Sequence, residues 1–370
     1  MKNKKKILCL IGSLDIGGAE KQLVAKILAL HNQFSFEVFT IMHKGKLSKD
    51  LENKGIKVHE PFFKQKGSLI TKIIFYVSLL IQIFFKILFS NVRVIHFYLP
   101  HAYILGGIAT SILFWKKLIM SRRSMNYYQN NISFSRKVEN FLHKRIDLII
   151  ANSRAIEKQL IEEENVPPKK IRLIYNGIKI NKKYFKKKKG VLKMICIANF
   201  FDYKNHDFLI ESCSLLPKDL SWCMKLVGKD SEKIVKKLKQ KVKNKSLQSN
   251  IFFYPQSENI KKYLEESDIG VLVSKQEGLS NSIIEYMNYS LPVIASDIQG
   301  NRELVSNNST GFLIKANDCN DFVEKVGLLS KNSSKRIKMG ISGNKFIDKK
   351  FNFNLWKMNY FNLYNEFFNE

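Results

Sequence analysis

Two glutamates in the second half of the chain are the residues whose types and positions most favour ligand chemistry. Glu277 follows the apolar run Ile269–Val273, and Glu285 lies inside a segment whose predicted helix, Ser282–Asn288, has Ser280 or Asn281 as its N-cap. Glu277 would then lie in a loop and Glu285 about one turn into a helix. Because a carboxylate accepts several hydrogen bonds, one could bind sugar hydroxyls and the other a ribose, with phosphates at the helix start between them.

A glycine-rich turn follows the first apolar run and precedes a helical pattern. Gly12, Gly17 and Gly18 could expose backbone amides to a phosphate at the helix start. However, Gly18-Ala19 stands where a P-loop needs Lys and Ser or Thr, and Leu14 replaces the second glycine of the dinucleotide-binding fingerprint. The spacing alone therefore fits a plain tight turn as well as a phosphate-binding loop.

Twelve short apolar runs alternate with helical patterns and must position these residues. In the first half the candidate strands are Ile7–Ile11, Val38–Met42, Val92–Phe97, Leu118–Met120, Leu148–Ala151 and Ile171–Tyr175. In the second half they are Met194–Ala198, Cys223–Val227, Ile251–Tyr254, Ile269–Val273, Val293–Ser296 and Phe312–Ile314. Apolar strands separated by helices indicate parallel sheets covered on both faces. We therefore expect an α/β protein with two doubly wound, Rossmann-like domains and an active site in the cleft between them.

The alternation is interrupted once, after Asn176-Gly177. The lysine-rich stretch 179–190 cannot pack into a core and predicts a linker. The predicted domains are 1–178 and 191–350. The aromatic-rich segment 351–370, with a helix candidate at Phe351–Phe367, is expected to pack back toward the first domain.

The chain is strongly basic, with 62 Lys and Arg against 32 Asp and Glu, a net charge of +30. Residues 1–190 hold 36 of the basic and 12 of the acidic side chains, so the excess lies in the first half. Such a field attracts polyanions, but 53 of the basic residues are Lys and only 9 are Arg. Because base readout favours Arg, we expect an anionic membrane surface or a solvated lysine-rich surface rather than nucleic acid.

Three further features bear on the compartment. The five cysteines are scattered without metal-site spacing, which indicates a reducing compartment, no disulfide framework and no zinc site. Residues 1–14 imitate a signal peptide but lead directly into Asp15 and Gly17, so a buried strand is expected. The 13 apolar residues Ile73–Phe85 are too few to span a bilayer. With lysines nearby they predict either docking on an anionic leaflet or a core-facing helix.

Several longer strings of residues surround the two glutamates or lie in the first half of the chain. They read EGLSNSIIEYM, then LPVIASDIQGNREL and TGFLI, while the first half contains IGSLDIGGAEKQL, IANSRAIEKQL and IRLIYNGI. This combination resembles the retaining glycosyltransferases of family four, which have the GT-B fold. The resemblance implies an acceptor-side N-terminal domain, a C-terminal domain that binds the nucleotide-sugar, and transfer with retention and without a metal or other cofactor. No Asp-x-Asp stands at a predicted strand end, which is consistent with that mechanism.

The resemblance also implies roles for individual residues of the donor site. Glu277 would bind hydroxyls of the donor sugar in a catalytic role, and Glu285 would bind the ribose. Lys204 matches the family's phosphate-binding lysine, whereas Asn199 stands where the family has an arginine, so one positive charge is missing. The amides expected to face the diphosphate belong to Gly278, Leu279, Ser280, Gly17 and Gly18.

The acceptor side is less closely defined by the resemblance. The family places a histidine near the reacting sugar, often in a His-x-His string, but Tyr98 occupies the second position here. The assignment therefore lies between His101, which is slightly favoured, and His96, and either could be a structural histidine. Arg122 and Arg123 could bind an acceptor phosphate or form part of the charged surface.

These observations predict a transferase of the hexosyl or N-acetylhexosaminyl type. It would move a sugar from a nucleotide-sugar onto a glycan or lipid-linked acceptor, in the synthesis of surface polysaccharide or lipopolysaccharide. We expect it in the cytoplasm, peripheral on the inner face of the membrane. The alternatives are an epimerase or phosphorylase on the same scaffold, or a non-catalytic protein that binds sugar nucleotides or polyanions. A plain polyanion binder would not need Glu277 and Glu285 beside Lys204.

Overall fold

The computed structural model describes residues 5–65, 67–126, 129, 133–181, 190–229, 232–255 and 260–369. The chain divides into two compact units: Met1–Gly177 with Phe353–Glu370, and Ile178–Asn352. Most of the predicted linker, residues 182–189, lies outside the described residues.

Each unit contains one parallel β-sheet. The strands of the first unit are β1 Lys6–Ser13, β2 Ser35–His43, β3 Lys57–His59, β4 Val94–Tyr98, β5 Lys117–Arg122, β6 Leu148–Ala151 and β7 Ile171–Leu173. The strands of the second unit are β8 Leu192–Ile197, β9 Trp222–Gly228, β10 Ile251–Pro255, β11 Ile269–Leu272, β12 Val293–Ser296 and β13 Gly311–Ile314. All twelve predicted strands are confirmed. Strand β3 was missed because three residues, Lys-Val-His, are too short to show a pattern.

Helices connect the strands in both units. The first eight are α1 Gly18–Leu30, α2 Ser48–Glu52, α3 Leu69–Leu88, α4 Leu99–Thr110, α5 Ser133–Arg145, α6 Arg154–Glu162, α7 His206–Ser214 and α8 Glu232–Asn244. The remaining six are α9 Lys261–Glu266, α10 Asn281–Asn288, α11 Gln299–Arg302, α12 Cys319–Lys331, α13 Ser333–Phe351 and α14 Phe353–Asn369.

The sheet of the first unit has the strand order β3-β2-β1-β4-β5-β6-β7, and that of the second has β10-β9-β8-β11-β12-β13. In each sheet the order reverses once, between β1 and β4 and between β8 and β11. The carboxyl ends of the two central strands therefore flank a crevice, which is where doubly wound sheets bind ligands. The expected pair of Rossmann-like domains is confirmed.

Helices cover both faces of the first sheet, which explains its continuously apolar strands. On β1, Ile7, Cys9 and Ile11 face a core shared with α1 and α14, whereas Leu8 and Leu10 face a core shared with α3 and α4. Alternate residues of one strand thus enter different cores. Helix α14 belongs to the first unit and buries five side chains there: Trp356, Tyr360, Leu363, Tyr364 and Phe367.

The apolar helix α3 is longer than its sequence suggested. It has 20 residues, Leu69–Leu88, rather than the 13 of the uninterrupted apolar run, because the helix continues through Lys72 and Lys86 into the apolar residues beyond them. By length and composition α3 is long enough to cross a membrane, so the expectation that the segment is too short was wrong. Its stripe of Phe75, Leu79, Ile83 and Ile87 packs against the sheet.

Candidate functional site

Lys204 and Glu277 meet at the crevice of the second unit. Lys204 lies in the loop after β8 and Glu277 in the loop after β11, the two strands between which the strand order reverses. The Lys204 Nζ donates a hydrogen bond to Glu277 Oε1 at 2.6 Å, and the two side chains are 16% and 11% exposed. The Lys204 Nζ also lies 5.0 Å from the centre of the Tyr203 ring. A cation and a carboxylate distant in sequence thus form one partly buried pair where a ligand is expected.

Backbone contacts hold the loop that carries Glu277. The Lys275 amide donates to the Tyr203 carbonyl at 2.8 Å, which joins the loops after β11 and β8. Beside the loop, a Cβ atom at Gly300 would lie 2.3 Å from the Glu277 carbonyl oxygen, so α11 begins in direct contact with it. Only glycine allows this approach. The Glu277 carboxylate is therefore presented from a fixed backbone.

Helix α10 begins beside the same loop and carries Glu285. Ser280, one of the two predicted N-cap residues, caps the helix, and its hydroxyl accepts a hydrogen bond from the Ile283 amide at 3.2 Å. The buried Tyr286 hydroxyl accepts from the Ile197 amide at 2.6 Å, which fastens α10 to the end of β8. Burial raises the pKa of Tyr286 far above its ordinary value, and the charges of Glu285 and Glu277 raise it further. The same hydroxyl donates to the Val271 carbonyl at 3.2 Å, so Tyr286 joins α10 to both central strands of the sheet.

Asn199, which stands where the family has an arginine, makes a hydrogen bond between two loops. Its side-chain carbonyl accepts a hydrogen bond from the Lys229 amide at 3.0 Å, which joins the loops after β8 and β9. An asparagine contributes no charge to the crevice, so Lys204 is the cation that this loop supplies.

His206, two residues after Lys204, was missed by the sequence analysis. It is 3% exposed, its ring lies 4.9 Å from the ring of Phe200, and neither ring nitrogen has a hydrogen-bond partner among the described residues. Burial, reinforced by the charge of Lys204, lowers the pKa of His206 to about 4, so the ring is neutral at pH 7. The only signal in the sequence was a histidine close to a lysine at a helix start.

In the first unit, the glycine loop after β1 carries an acidic side chain over its helix start. A Cβ atom at Gly17 would lie 2.1 Å from Glu20 Oε2, so the Glu20 carboxylate folds back over this glycine. Burial raises the pKa of Glu20, and the charge of Arg123 acts in the opposite direction. Gly18, beside Gly17, is exposed. The predicted phosphate loop thus has a carboxylate at its helix start.

The two candidate histidines lie in different environments. His96, on β4, is fully buried, with Nδ1 2.7 Å from the Tyr364 hydroxyl and Nε2 2.8 Å from the Ser121 hydroxyl. Burial holds the pKa of His96 well below its ordinary value. His96 is therefore a core residue, and the expectation that it could act on a ligand is corrected. His101 is exposed in the first turn of α4, at the crevice between β1 and β4.

The two adjacent arginines, Arg122 and Arg123, also differ in burial and in their partners. Arg122 is 1% exposed and binds Glu139 through Nη1 at 2.7 Å and Glu164 through Nη2 at 2.8 Å. The acceptor role expected for Arg122 is corrected, because its guanidinium is held inside the core by two carboxylates. Arg123 is partly buried and donates to the Asn176 side-chain carbonyl.

Glu139 and Glu164, with His143, could by proximity hold a metal ion. His143 Nε2 lies 2.9 Å from Glu164 Oε2. The Arg122 guanidinium already provides the positive charge between the two carboxylates, so the cluster is explained as a buried ion-pair network.

Comparison with known families gives two matches that together span most of the chain. Residues 16–182 match the family described as Glycosyltransferase Family 4, and residues 178–346 match Glycosyl transferases group 1. Lys204, Glu277 and Glu285 all lie in the second match.

Individual relatives agree with these matches. The capsular polysaccharide biosynthesis glycosyltransferase CapH of Staphylococcus aureus is 27% identical over 81% of this chain and 83% of its own length. The UDP-Gal:alpha-D-GlcNAc-diphosphoundecaprenol alpha-1,3-galactosyltransferase of Escherichia coli is 30% identical over 51% of this chain and 55% of its own. For other curated relatives the alignment spans less of the relative, 41% in one case and 34% in another.

A solved structure shows the same fold. The crystal structure of Anabaena HepE in complex with UDP and glucose superposes with a TM-score of 0.83, covering 98% of this chain and 100% of that one at 19% identity. At this identity the likeness establishes the fold.

Proposed function

Because the chain belongs to the group 1 glycosyltransferases and has the GT-B fold, we propose that it is a retaining enzyme that uses a nucleoside-diphosphate sugar as donor. The acceptor is a glycan or a lipid-linked glycan in the synthesis of a surface polysaccharide or lipopolysaccharide. The sugar transferred is a hexose or an N-acetylhexosamine, and the nucleotide is UDP. The UDP in the Anabaena complex and the UDP-Gal in the name of the E. coli relative support the choice of nucleotide.

The observation that carries the proposal is the Lys204–Glu277 pair at the crevice of the second unit. A carboxylate that accepts one hydrogen bond from Lys204 keeps further lone pairs for sugar hydroxyls. The same ammonium has three donor hydrogens, so it can bind a phosphate oxygen while it stays bonded to Glu277. The pair can therefore orient the sugar and the diphosphate of one donor, with Glu285 on α10 as the ribose ligand.

The chemistry that we propose is electrostatic. Departure of a nucleoside diphosphate builds negative charge on the phosphate next to the sugar. A fixed ammonium and the amides at the start of α10, from Gly278 to Ser280, stabilise that charge without reorganisation. In this proposal Lys204 and these amides replace a metal ion. Since Asn199 supplies no charge, only the amides would stabilise the departing diphosphate if Lys204 were removed.

We place acceptor binding in the first unit, with His101 at the reacting sugar and Arg123 as the contact for an acceptor phosphate. His101 is the candidate histidine that is exposed at a crevice. The diphosphoundecaprenol in the name of the E. coli relative supports a lipid-linked acceptor. Such an acceptor locates the enzyme in the cytoplasm, at the inner face of the membrane.

The proposal is tested with the full chain and a panel of nucleotide-sugars. A bound donor raises the melting temperature, because it binds the native state, and the donor that does so is then tested for transfer. We expect Glu277→Ala to abolish transfer and to leave the melting temperature of the unliganded protein unchanged. Glu324→Ala, at an exposed glutamate of the same unit, is the control and keeps full activity.

Two outcomes would contradict the proposal. If Glu277→Ala turned over the donor as fast as the parent, the donor-site assignment would be wrong. If the anomeric configuration of the product, read by NMR, were opposite to that of the donor, the enzyme would be inverting.

A further inference from the structure

We propose that the outer surface of α3 and α4 in the first unit is a docking surface for an anionic lipid bilayer. Helices α3, α4 and α5 lie side by side on one face of the sheet. The side of α3 that points away from the sheet is exposed and mostly aliphatic or aromatic. It carries Ile70, Ile73, Ile74, Val77, Ile81 and Phe85, and its first turn also exposes Thr71 and Lys72. We call this surface, with its continuation on α4 and the loop after it, the apolar face.

The apolar face continues from α3 onto α4. Ile108 and Ile112 are 42% and 60% exposed, and they line a shallow groove of about 240 Å³ together with Ile81 and Phe85 of α3. On the other side of α3 a groove of about 550 Å³ contains Phe62, which is 82% exposed. Contiguous exposed apolar surface of this extent marks an interaction site rather than scattered surface residues.

Two aromatic side chains at the end of α4 are held outward by a fixed backbone. Phe114 and Trp115 are 76% and 62% exposed, in the loop between α4 and β5. The Arg145 guanidinium donates to the carbonyls of Leu113 and Lys116, both at 2.9 Å, and the buried Lys116 ammonium donates to the Val92 carbonyl at 2.7 Å. The loop is thus anchored on both sides of the two rings. Trp and Phe in such positions suit the boundary between headgroups and acyl chains.

The charge around the apolar face selects an anionic partner. No acidic residue occurs between Glu60 and Glu139, a segment that includes all of α3 and α4. Exposed lysines lie before and within α3, at Lys64 and Lys72, and on α5, at Lys137 and Lys144. An apolar surface bordered by several cations and by one carboxylate, Glu60 in the larger groove, is complementary to a bilayer that contains acidic headgroups.

The packing of α3 favours docking along the bilayer rather than a transmembrane span. Its stripe of Phe75, Leu79, Ile83 and Ile87 is buried in the core against the sheet. To span a bilayer, α3 would have to remove these side chains from that core. Lying on the sheet, its roughly 30 Å length presents the opposite side to the lipid.

This inference rests on the membrane location given in the proposed function and adds the surface that binds the membrane. It does not depend on the proposed chemistry of sugar transfer. Vesicle binding needs no donor, acceptor or turnover. Binding can therefore fail while transfer succeeds, and transfer can fail while binding succeeds.

The first experiment is flotation of the full chain with vesicles of phosphatidylcholine, with and without phosphatidylglycerol. We expect binding to the phosphatidylglycerol vesicles, weakened at least about tenfold by the double variant Ile74→Asp, Val77→Asp, since two carboxylates would enter the interface. Met358→Asp is the matched control: Met358 is 52% exposed on α14, on the opposite face of the same sheet. Because all three positions are exposed, the melting temperatures should stay close to that of the parent.

The second experiment uses Trp115 as a reporter. The other two tryptophans, Trp222 and Trp356, are 6% and 3% exposed, so a change in emission on adding vesicles reports Trp115. We expect a blue shift and quenching by brominated acyl chains, both lost in Trp115→Phe.

Three results would overturn the inference. The first is full binding by the double variant, and the second is flotation without quenching of Trp115. The third is a dimer in solution that the double variant dissociates while the parent does not float, because a second copy would then cover the apolar face.

Discussion

The Lys26 ammonium on α1 donates a hydrogen bond of 2.5 Å to the Tyr364 hydroxyl on α14, inside the core of the first unit. Lys26 is fully buried, and no carboxylate pairs with it among the described residues. Instead its Nζ lies between 4.8 and 5.7 Å from the centres of four aromatic rings, those of Phe36, Tyr98, Tyr360 and Tyr364. The contact joins the first helix to the last through a cation stabilised by hydroxyl and ring electrons.

Lys26→Met is expected to stabilise the protein at neutral pH. Burial lowers the pKa of Lys26 from 10.5 to about 8. The folded protein therefore carries an unfavourable charge below pH 8, which costs up to about 3 kcal/mol of unfolding free energy and is relieved as the pH rises from 8 toward 10.5. The advantage of the variant should accordingly be greatest at pH 7 and should shrink by pH 9.5, as measured by denaturant unfolding.

Lys21→Met, at an exposed position of the same helix, is the control for this experiment and should show no such pH dependence. Burial raises the pKa of the Cys9 thiol and the Lys26 ammonium beside it lowers that pKa, so both proteins are compared in a Cys9→Ala background. A difference in stability that is constant from pH 7 to 9.5 would contradict the assignment.

Substitution of Arg122 should mainly reduce stability, whereas substitution of Arg123 should mainly weaken acceptor binding. Arg122→Met leaves Glu139 and Glu164 buried without their cation, so we expect a loss of about 3–5 kcal/mol in unfolding free energy. Burial alone would raise the pKa of Glu164, but His143 and Arg122 hold it below its ordinary value. Because that pKa is depressed, its stabilisation is present above about pH 4.5 and is lost as the pH falls through the folded-state pKa.

Arg123→Met removes a partly buried side chain bonded to Asn176, and we expect it to raise the KM for the acceptor with a smaller loss of stability. Denaturant unfolding and acceptor titration distinguish the two variants. Equal loss of stability in both would show that Arg123 is also a core residue.

His101→Ala should lower kcat by about 100-fold if the side chain stabilises charge at the reacting sugar. The melting temperature should not change, because His101 is exposed. His96→Ala is expected instead to lower the melting temperature, because its partners Tyr364 and Ser121 lose their hydrogen bonds in the core. Normal turnover in His101→Ala would remove this residue from the proposed site.

Lys204→Ala should weaken the binding of UDP by about tenfold or more, since a charge-assisted hydrogen bond to phosphate is lost. Binding of uridine, which has no phosphate, should be unchanged. Lys275→Ala is the matched control, because this lysine is exposed in the same loop as Glu277 and has the same charge. Isothermal titration of the three proteins checks the prediction, and equal UDP affinity in Lys204→Ala and the parent would refute it.

The local pattern of residues was sufficient to predict much of the fold. The apolar runs predicted twelve strands because buried parallel strands are continuously hydrophobic. Ser280 and Asn281 marked the start of α10 to within one residue, because their side chains can accept a hydrogen bond from a free amide there. The order of strands and helices then determined the fold class, and the strings around Glu277 and Glu285 indicated the family. All of these are properties of neighbouring residues.

Only the tertiary structure decided which candidates are accessible. His96 and His101, and likewise Arg122 and Arg123, are nearly adjacent in sequence, yet one member of each pair is buried and the other is not. Their partners, Tyr364 for His96 and Glu164 for Arg122, come from distant elements that local pattern does not identify. The same holds for the Lys204–Glu277 contact and the exposed side of α3. Burial and charge pairing depend on which elements pack together, and that is a non-local property of the chain.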